Sequence, residues 1–218
     1  MSAPAVGGRP LAIGGLSKLS TCDWPGHLVA TVFLQGCPWN CLYCHNPALI
    51  DCRSSGRLEW AVIVDFLRGR VGLLDGVVFS GGEATRQDLA PAIGELRALG
   101  FLIGLHTSGA YPRRLAALLE SGLVDWVGFD VKARPENLAA VTGVTASAAA
   151  MTESLRLLLA SGVDYQVRTT WGPGVPGVET VEEAESVLAW ARAQGVIDPV
   201  LQPVRTEGTR ELFQAMAA

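Results

Sequence analysis

Leu28-Val29-Ala30-Thr31-Val32-Phe33-Leu34 runs into Gln35-Gly36 and then into Cys37-Pro38-Trp39-Asn40-Cys41-Leu42-Tyr43-Cys44. The first stretch reads as an apolar strand. The second is a loop with three cysteines in eight residues, spaced by three residues and then by two. Thiolates this close converge only if the loop curls around a common object, and thiolates are the usual protein ligands of iron–sulfur clusters. A four-iron cubane held by Cys37, Cys41 and Cys44 leaves one iron open to a small molecule. Zinc held by the same cysteines and His45 is the competing expectation, since zinc takes Cys and His in a closed tetrahedral set. His45 follows Cys44 directly, however, and zinc ligands usually come as two separated pairs. A disulfide framework fits poorly with a chain of this length and no sign of export.

Working outward, one joint recurs. An amphipathic segment ends in Gly and an apolar run follows, at Leu99-Gly100-Phe101, Ser121-Gly122-Leu123, Ser161-Gly162-Val163 and Gln194-Gly195-Val196. Gly after a helix closes the last turn in the left-handed conformation. The short apolar runs read as strands buried on both faces, as in parallel sheets. Helical spacing connects Trp60, Ile63 and Leu67; Leu89, Ile93, Leu96 and Leu99; Leu115, Leu118 and Leu119; Leu155, Leu158 and Leu159; and Val181, Ala184, Val187, Leu188 and Ala191. These stripes are expected to be core. Six strands are predicted: Leu28–Leu34, Gly76–Ser80, Leu102–His106, Trp126–Asp130, Asp164–Thr170 and Pro199–Pro203. Alternating strands and helices predict an α/β fold with a parallel sheet. Eight units would close a barrel; six right-handed units give an open, partial (β/α)6 barrel. A single domain is expected over 1–218, with 1–23 as an N-terminal lead-in and 207–218 as a short tail or final helix.

The 218 residues are 49% hydrophobic, enough for a sizeable core, and the net charge of −4 does not suggest a nucleic-acid surface. Five cysteines, three of them clustered, suggest a reducing compartment. Met1 to Pro10 does not read as a signal peptide, and no apolar run reaches the length of about 18 residues that a membrane helix needs. The expected location is cytoplasmic.

Chemistry in such barrels lies at the carboxyl ends of the strands, and the unusual residues fall there. After the cysteine loop come Ser80-Gly81-Gly82-Glu83, His106-Thr107-Ser108-Gly109, Asp130-Val131-Lys132 and Arg168-Thr169-Thr170. Two glycines permit close backbone approach to a ligand. Their carbonyls and the Glu83 carboxylate are candidate acceptors for a cationic amino group. An ordinary strand-to-helix turn is the plain alternative. An Asp130–Lys132 ion pair is a structural alternative to a ligand site, and Arg168 could serve a carboxylate, a partner or a structural pair. Cys22 and Cys52 are expected to be small buried hydrophobes. His27, His45 and His106 are expected to be structural or supporting. Trp24 and Trp39 are expected over the cluster loop or against a partner.

The Cys-x3-Cys-x2-Cys spacing, with an aromatic before the last Cys, resembles the signature of the radical S-adenosylmethionine superfamily. Val32-Phe33-Leu34-Gln35-Gly36-Cys37, Cys44-His45-Asn46-Pro47 and Asp23-Trp24-Pro25-Gly26 are similar to its glycyl-radical-enzyme activases, most closely the anaerobic ribonucleoside-triphosphate reductase activating protein family. The resemblance runs from about Ile13 to about Arg205 and implies the six-unit architecture. It implies that Cys37, Cys41 and Cys44 are the catalytic cysteines and ligate three irons of a 4Fe-4S cluster. The fourth iron would take the amino and carboxylate groups of S-adenosyl-L-methionine, whose reductive cleavage gives methionine and a 5′-deoxyadenosyl radical. Gly81, Gly82 and Glu83 match the family's Gly-Gly-Glu, although Ala84 replaces the Pro that usually follows. Asp130 and Lys132 match an Asp-x-Lys pattern near the cofactor: the carboxylate would hold ribose hydroxyls and the lysine the methionine carboxylate. Tyr43 would lie beside the adenine or shield the cluster, and Thr107 and Ser108 would meet ribose or the methionine end.

The function so implied is an anaerobic activase that places a glycyl radical on a partner enzyme, with flavodoxin or ferredoxin as electron donor. Anaerobic ribonucleotide reductase is the expected target and pyruvate formate-lyase its rival. A radical reaction on a small molecule, as in carboxy-deazaguanine synthases, usually goes with altered cysteine spacing, whereas the spacing here is regular. A non-catalytic metal-binding protein would not need the intact Gly-Gly-Glu and Asp-x-Lys patterns.

Overall fold

The computed structural model describes residues 10–217. The elements run β1 (Ile13–Ser20), β2 (Val29–Leu34), α1 (Trp60–Arg68), β3 (Gly76–Gly81), α2 (Ala90–Ala98), β4 (Leu102–Thr107), α3 (Pro112–Glu120), β5 (Trp126–Asp130), α4 (Pro135–Thr142), α5 (Ser147–Ser161), β6 (Asp164–Trp171), α6 (Val181–Ala193), β7 (Val200–Pro203) and α7 (Glu211–Ala217). One sheet holds the seven strands in sequence order and does not close. β2 to β7 are parallel, each followed by helix, as the partial six-unit barrel requires.

The expected lead-in contains a strand. β1 pairs antiparallel with β2 from Ile13 opposite Leu34 to Ser20 opposite Val29. Its sequence, Ile-Gly-Gly-Leu-Ser-Lys-Leu-Ser, hides it, because two glycines depress strand propensity. Gly14 is small for a packing reason: a Cβ there would stand 2.1 Å from Leu49 Cδ2 in the segment after the cysteine loop. α4 was also not anticipated, although Pro135 at its first turn and Gly143 in the left-handed conformation beyond its end are ordinary start and stop signals. The glycine joints behave as expected: Gly162 closes α5 at φ +74°, and Gly100, Gly122 and Gly195 also have positive φ. The helical stripes pack into the core, with Trp60, Leu99 and Leu159 partly buried at its margin, and one position needs a correction. Val181 is 47% exposed, because the inward face of α6 begins at Ala184.

Two layers of apolar side chains result. The outward face of the sheet, including Val77, Phe79, Ile103, Leu105, Val127, Phe129 and Val167, packs on the helices through Ile63, Ile93, Leu96, Leu115, Leu155 and Val187. The inward face carries the opposite parity. Near the amino ends of the strands, Trp24, Val29, Val78 and Trp126 form a separate small core, with the Trp24 and Trp126 rings stacked at 5.4 Å. A Cβ on Gly104 would come within 2.9 Å of the Trp24 ring, so that glycine makes room for the indole. Trp24 is therefore corrected from a cover over the cysteines to a plug in the barrel floor. Toward the carboxyl edge the same face turns polar, through Ser80, His106, Asp130, Arg168 and Thr170.

Candidate active site

Main-chain and amide contacts hold the cysteine loop. Gly36 N–H donates to Leu49 O at 2.7 Å, Cys37 N–H to Ile50 O at 3.1 Å, and Cys44 N–H to Cys41 O at 3.2 Å, which closes a tight turn between the last two cysteines. The buried Gln35 donates to the Ala48 and Asp51 carbonyls, each at 3.1 Å. Gln87 bonds the Ala12 N–H and carbonyl and the Gln35 carbonyl at 2.8–3.0 Å. The C-terminal segment wraps the other side. His45 Nε2 meets the Arg205 carbonyl at 2.9 Å, Arg210 donates to Asn40 Oδ1, and buried Phe213 lies 6.3 Å from the Tyr43 ring.

One pocket at the carboxyl edge is lined by Cys37, Cys41 and Cys44, by Trp39, Tyr43, Gly81 and Gly82, by Thr107 and Ser108, and by Asp130, Lys132 and Arg168. It thus brings together every site residue expected from sequence except Glu83. Ser80, His106 and Thr170, which the sequence places at the strand ends without a ligand role, also line it. Strand parity accounts for their facing inward, since Ser80, His106 and Thr170 share the inward face with Asp130 and Arg168.

Glu83 stands apart from the other site residues. Its side chain is 1% exposed, and protein donors occupy its carboxylate. Thr85 N–H (3.2 Å), Thr85 Oγ1–H (2.6 Å) and Thr107 Oγ1–H (2.6 Å) donate to Oε1, while Ser108 N–H (3.0 Å) and Oγ–H (2.9 Å) donate to Oε2. A carboxylate offers about four acceptor sites, and here protein donors fill them. The Thr107 and Ser108 hydroxyl protons are committed in the same bonds. The glycines also have a scaffold reason to be glycine. Gly82 N–H donates to Leu34 O and Glu83 N–H to Gly36 O, each at 2.9 Å. A Cβ on Gly81 would meet Leu34 N at 2.3 Å, and one on Gly82 would meet Gly36 O at 2.4 Å. The close approach here is to the backbone that leads into the cysteines.

Asp130 lies on the opposite side of the mouth. Its Oδ1 accepts from Arg168 Nε at 3.0 Å and Nη2 at 2.9 Å, and Lys132 Nζ lies 3.6 Å from Oδ2. Burial raises the carboxyl pKa, but the charges of Arg168, Lys132 and His106 outweigh it and hold the group at about 2. Burial also works against the charge of Lys132, yet Tyr43, Asp130 and the thiols of Cys41 and Cys44 keep it protonated, well above the ordinary lysine value. Burial and then Arg168 lower His106 to about 4, so it is neutral at pH 7. Its Nε2 lies 2.6 Å from the Asp23 carbonyl and must carry the proton; Nδ1 then accepts from Ser80 Oγ at 3.2 Å. His106 ties the polar mouth to the plugged floor. Cys22 and Cys52 are exposed rather than buried, the first in the β1–β2 turn beside Ser20 and the second with its Sγ toward the Cys37 carbonyl.

The donor set fits an iron–sulfur cluster. Among the described residues no three His, Cys, Asp or Glu side chains are grouped as a single ion would need. A cluster takes one thiolate per iron and does not need such a grouping. Burial pushes the Cys37 thiol up to about 12 and raises Cys41 too. Such thiols give up their protons to a strongly positive centre such as iron. The Tyr43 hydroxyl is buried in the pocket wall without a hydrogen-bond partner, as a wall facing a polar ligand would leave it.

Residues 31–191 match the radical SAM superfamily. A Methanocaldococcus jannaschii protein named "Putative glycyl-radical enzyme activating enzyme" is 34% identical over 126 residues, which cover 56% of this chain and 50% of that one. The pyruvate formate-lyase-activating enzyme of Streptococcus mutans is 36% identical over 80 residues, 34% of this chain and 30% of that one. The chain thus spans half the length, or less, of these curated relatives. The crystal structure of Streptococcus suis SuiB bound to S-adenosylmethionine shares the fold, with a TM-score of 0.61 and 13% identity over 80% of this chain and 40% of that one. Radical SAM proteins use a 4Fe-4S cluster and S-adenosylmethionine, and a three-cysteine loop at the open edge of a partial barrel is where this chain could hold them. The matched segment takes in β2 from Thr31, the cysteine loop and all of β3 to β6, and the chain belongs to the radical SAM superfamily.

Proposed function

We propose that this protein is a glycyl-radical-enzyme activase whose target is an anaerobic ribonucleoside-triphosphate reductase, with a flavodoxin or ferredoxin as electron donor. The observation that carries the reading is the single pocket in which three cysteines from one loop face Asp130, Lys132 and Arg168 from two neighbouring strand ends. The relatives named as activases support the class of reaction.

Cys37, Cys41 and Cys44 would each hold one iron. Lys132, whose Nζ lies 5.6 Å from the Tyr43 ring centroid, would offset the negative charge of a thiolate-bound cluster. The Gly81 and Gly82 carbonyls would receive the amino group of S-adenosylmethionine, since the Glu83 carboxylate is already saturated. Arg168 and Lys132 would draw the carboxylate, and Asp130, pinned by both, would present its remaining lone pairs to ribose hydroxyls. His106, neutral and held by Asp23 and Ser80, would keep the floor of the pocket dry and free of charge. When bound, the cluster and S-adenosylmethionine supply a carbon-centred oxidant able to take a hydrogen atom from a peptide glycine. Tyr43 and Trp39, each 3% exposed, would shield that site from water.

The test is anaerobic reconstitution with iron and sulfide, followed by S-adenosylmethionine and dithionite. Formation of 5′-deoxyadenosine from a protein carrying about four irons supports the reading. Zinc in place of iron, or an intact cluster with no cleavage even in the presence of the reductase, would overturn it.

A further inference from the structure

The cluster pocket is not the only concavity on this side of the molecule. Between α3 and α5 lies an open groove of about 740 Å³, lined mainly by apolar side chains: Ala110, Ala116, Ala149, Ala150 and Leu157. Tyr111, Arg113 and Arg114 stand where α3 begins, so the groove opens at the same carboxyl edge as the cysteine pocket. The link is direct. Ala110 follows Thr107-Ser108-Gly109, the segment that holds Glu83, and α5 grips that segment through Ser154 Oγ, which donates to Gly109 O at 2.8 Å.

The charges here are unusual. The amino end of a helix is its positive pole, where acidic side chains are favourable and cations are not. α3 has no acidic residue in its first turn and instead carries Arg113 and Arg114, with Tyr111 at its N-cap giving no side-chain cap. Among the described residues neither arginine pairs with a carboxylate, nor does the adjacent Arg86, whose guanidinium bonds the Cys52 carbonyl. Arg114 lies over the Tyr111 ring at 5.4 Å and reaches the Thr85 carbonyl. Glu153, the one acid in the groove wall, has both oxygens taken by Arg156. In a chain of net charge −4, a cationic helix end beside an apolar groove is left for an anionic partner.

We infer that the α3–α5 groove docks an amphipathic, acidic helix of the enzyme whose glycine is activated. This rests on the activase reading and names a contact outside the cluster pocket. Small alanines on both walls let a helix approach closely and seat its apolar face, the usual mode of helix-in-groove recognition. Carboxylates at the mouth end of that helix would meet Arg113 and Arg114. Docking there would bear on Ala110 and Tyr111 and so register the partner against the Thr107-Ser108 wall of the pocket.

The test compares wild type with R113E/R114E and R113K/R114K, all as cluster-loaded full chains, for binding to the anaerobic ribonucleoside-triphosphate reductase of the same organism. Charge reversal is expected to weaken binding about tenfold or more, and the lysine pair to stay within about threefold of wild type. Iron content and 5′-deoxyadenosine formation without the reductase should be unchanged in both variants. If R113E/R114E binds the reductase as well as wild type does, the groove is overturned while the activase reading stands. If that variant instead slows reduction of the cluster by flavodoxin, the groove serves the electron donor and the inference is equally overturned. If wild type binds neither this reductase nor pyruvate formate-lyase, both readings fail together.

Discussion

Glu83, just beyond β3, receives five hydrogen bonds from Thr85, Thr107 and Ser108 and is 1% exposed, whereas Asp130, at the end of β5, meets Arg168 and Lys132 and keeps 34% of its side chain exposed. Both carboxylates stand at the carboxyl edge of one sheet. The first is closed: its neutral donors come from its own turn and the next strand end, so it staples the β3 and β4 corners and fixes the glycines beside the cysteine loop. The second is open: its partners are cations, themselves in the pocket wall, with charge to share with a ligand. A carboxylate saturated by neutral protein donors builds the site, and one balanced by cations in the pocket wall leaves charge at its mouth.

The largest break in that contrast should come from Glu83→Ala. It strands the buried hydroxyls and N–H groups of Thr85, Thr107 and Ser108, for an expected loss of about 3–5 kcal/mol in chemical denaturation. A loss under about 1 kcal/mol would mean that Glu83 is no staple. His106 sets the pH response. Its folded pKa of about 4 lies below the ordinary 6.5, so the unfolded chain takes up the proton first as pH falls. Stability should be level above about pH 6.5 and drop by about 3 kcal/mol between pH 6.5 and 4. His106→Gln should flatten that slope in denaturation curves recorded across the range. Asp130→Asn should lower stability by only about 1–2 kcal/mol, while weakening S-adenosylmethionine binding to the loaded protein about tenfold in equilibrium dialysis. The depressed Asp130 pKa stabilises the fold above about pH 4, and this contribution, about 1 kcal/mol after solvent screening, should fade as pH falls toward 2 in the wild type but not in the variant. The smallest effect is expected of Cys52→Ser, within about 0.5 kcal/mol and with full iron content, because Cys52 is exposed and outside the loop triad. Cys41→Ser should keep the fold by circular dichroism and lose the brown cluster absorbance.

Much of this could be read in the sequence because parallel strands buried on both faces leave long apolar runs, and helices ending in Gly mark the joints between them. Those two signals placed all six parallel strands to within a residue at either end. β1 escaped because Gly14 and Gly15 mask an edge strand that is held by pairing and by Gln87 rather than by its own propensity. In the site, residue types and their place at strand ends were enough to gather the cysteines, Asp130, Lys132 and Arg168. Which partner each polar group would choose was not legible. Glu83 reads as an acceptor in one dimension, and only the approach of β4 shows that Thr107 and Ser108 donate to it. The same holds for Trp24, whose place in the floor depends on the space left by Gly104 on a strand about eighty residues away.

The most direct measurement is electron paramagnetic resonance of the anaerobic ribonucleoside-triphosphate reductase after incubation with the reconstituted protein, S-adenosylmethionine and reduced flavodoxin. An activase should leave a glycyl-radical doublet on the reductase, absent when Cys41→Ser replaces the wild type. A reductase that stays silent while the wild-type protein cleaves S-adenosylmethionine in the same tube would contradict the proposed target.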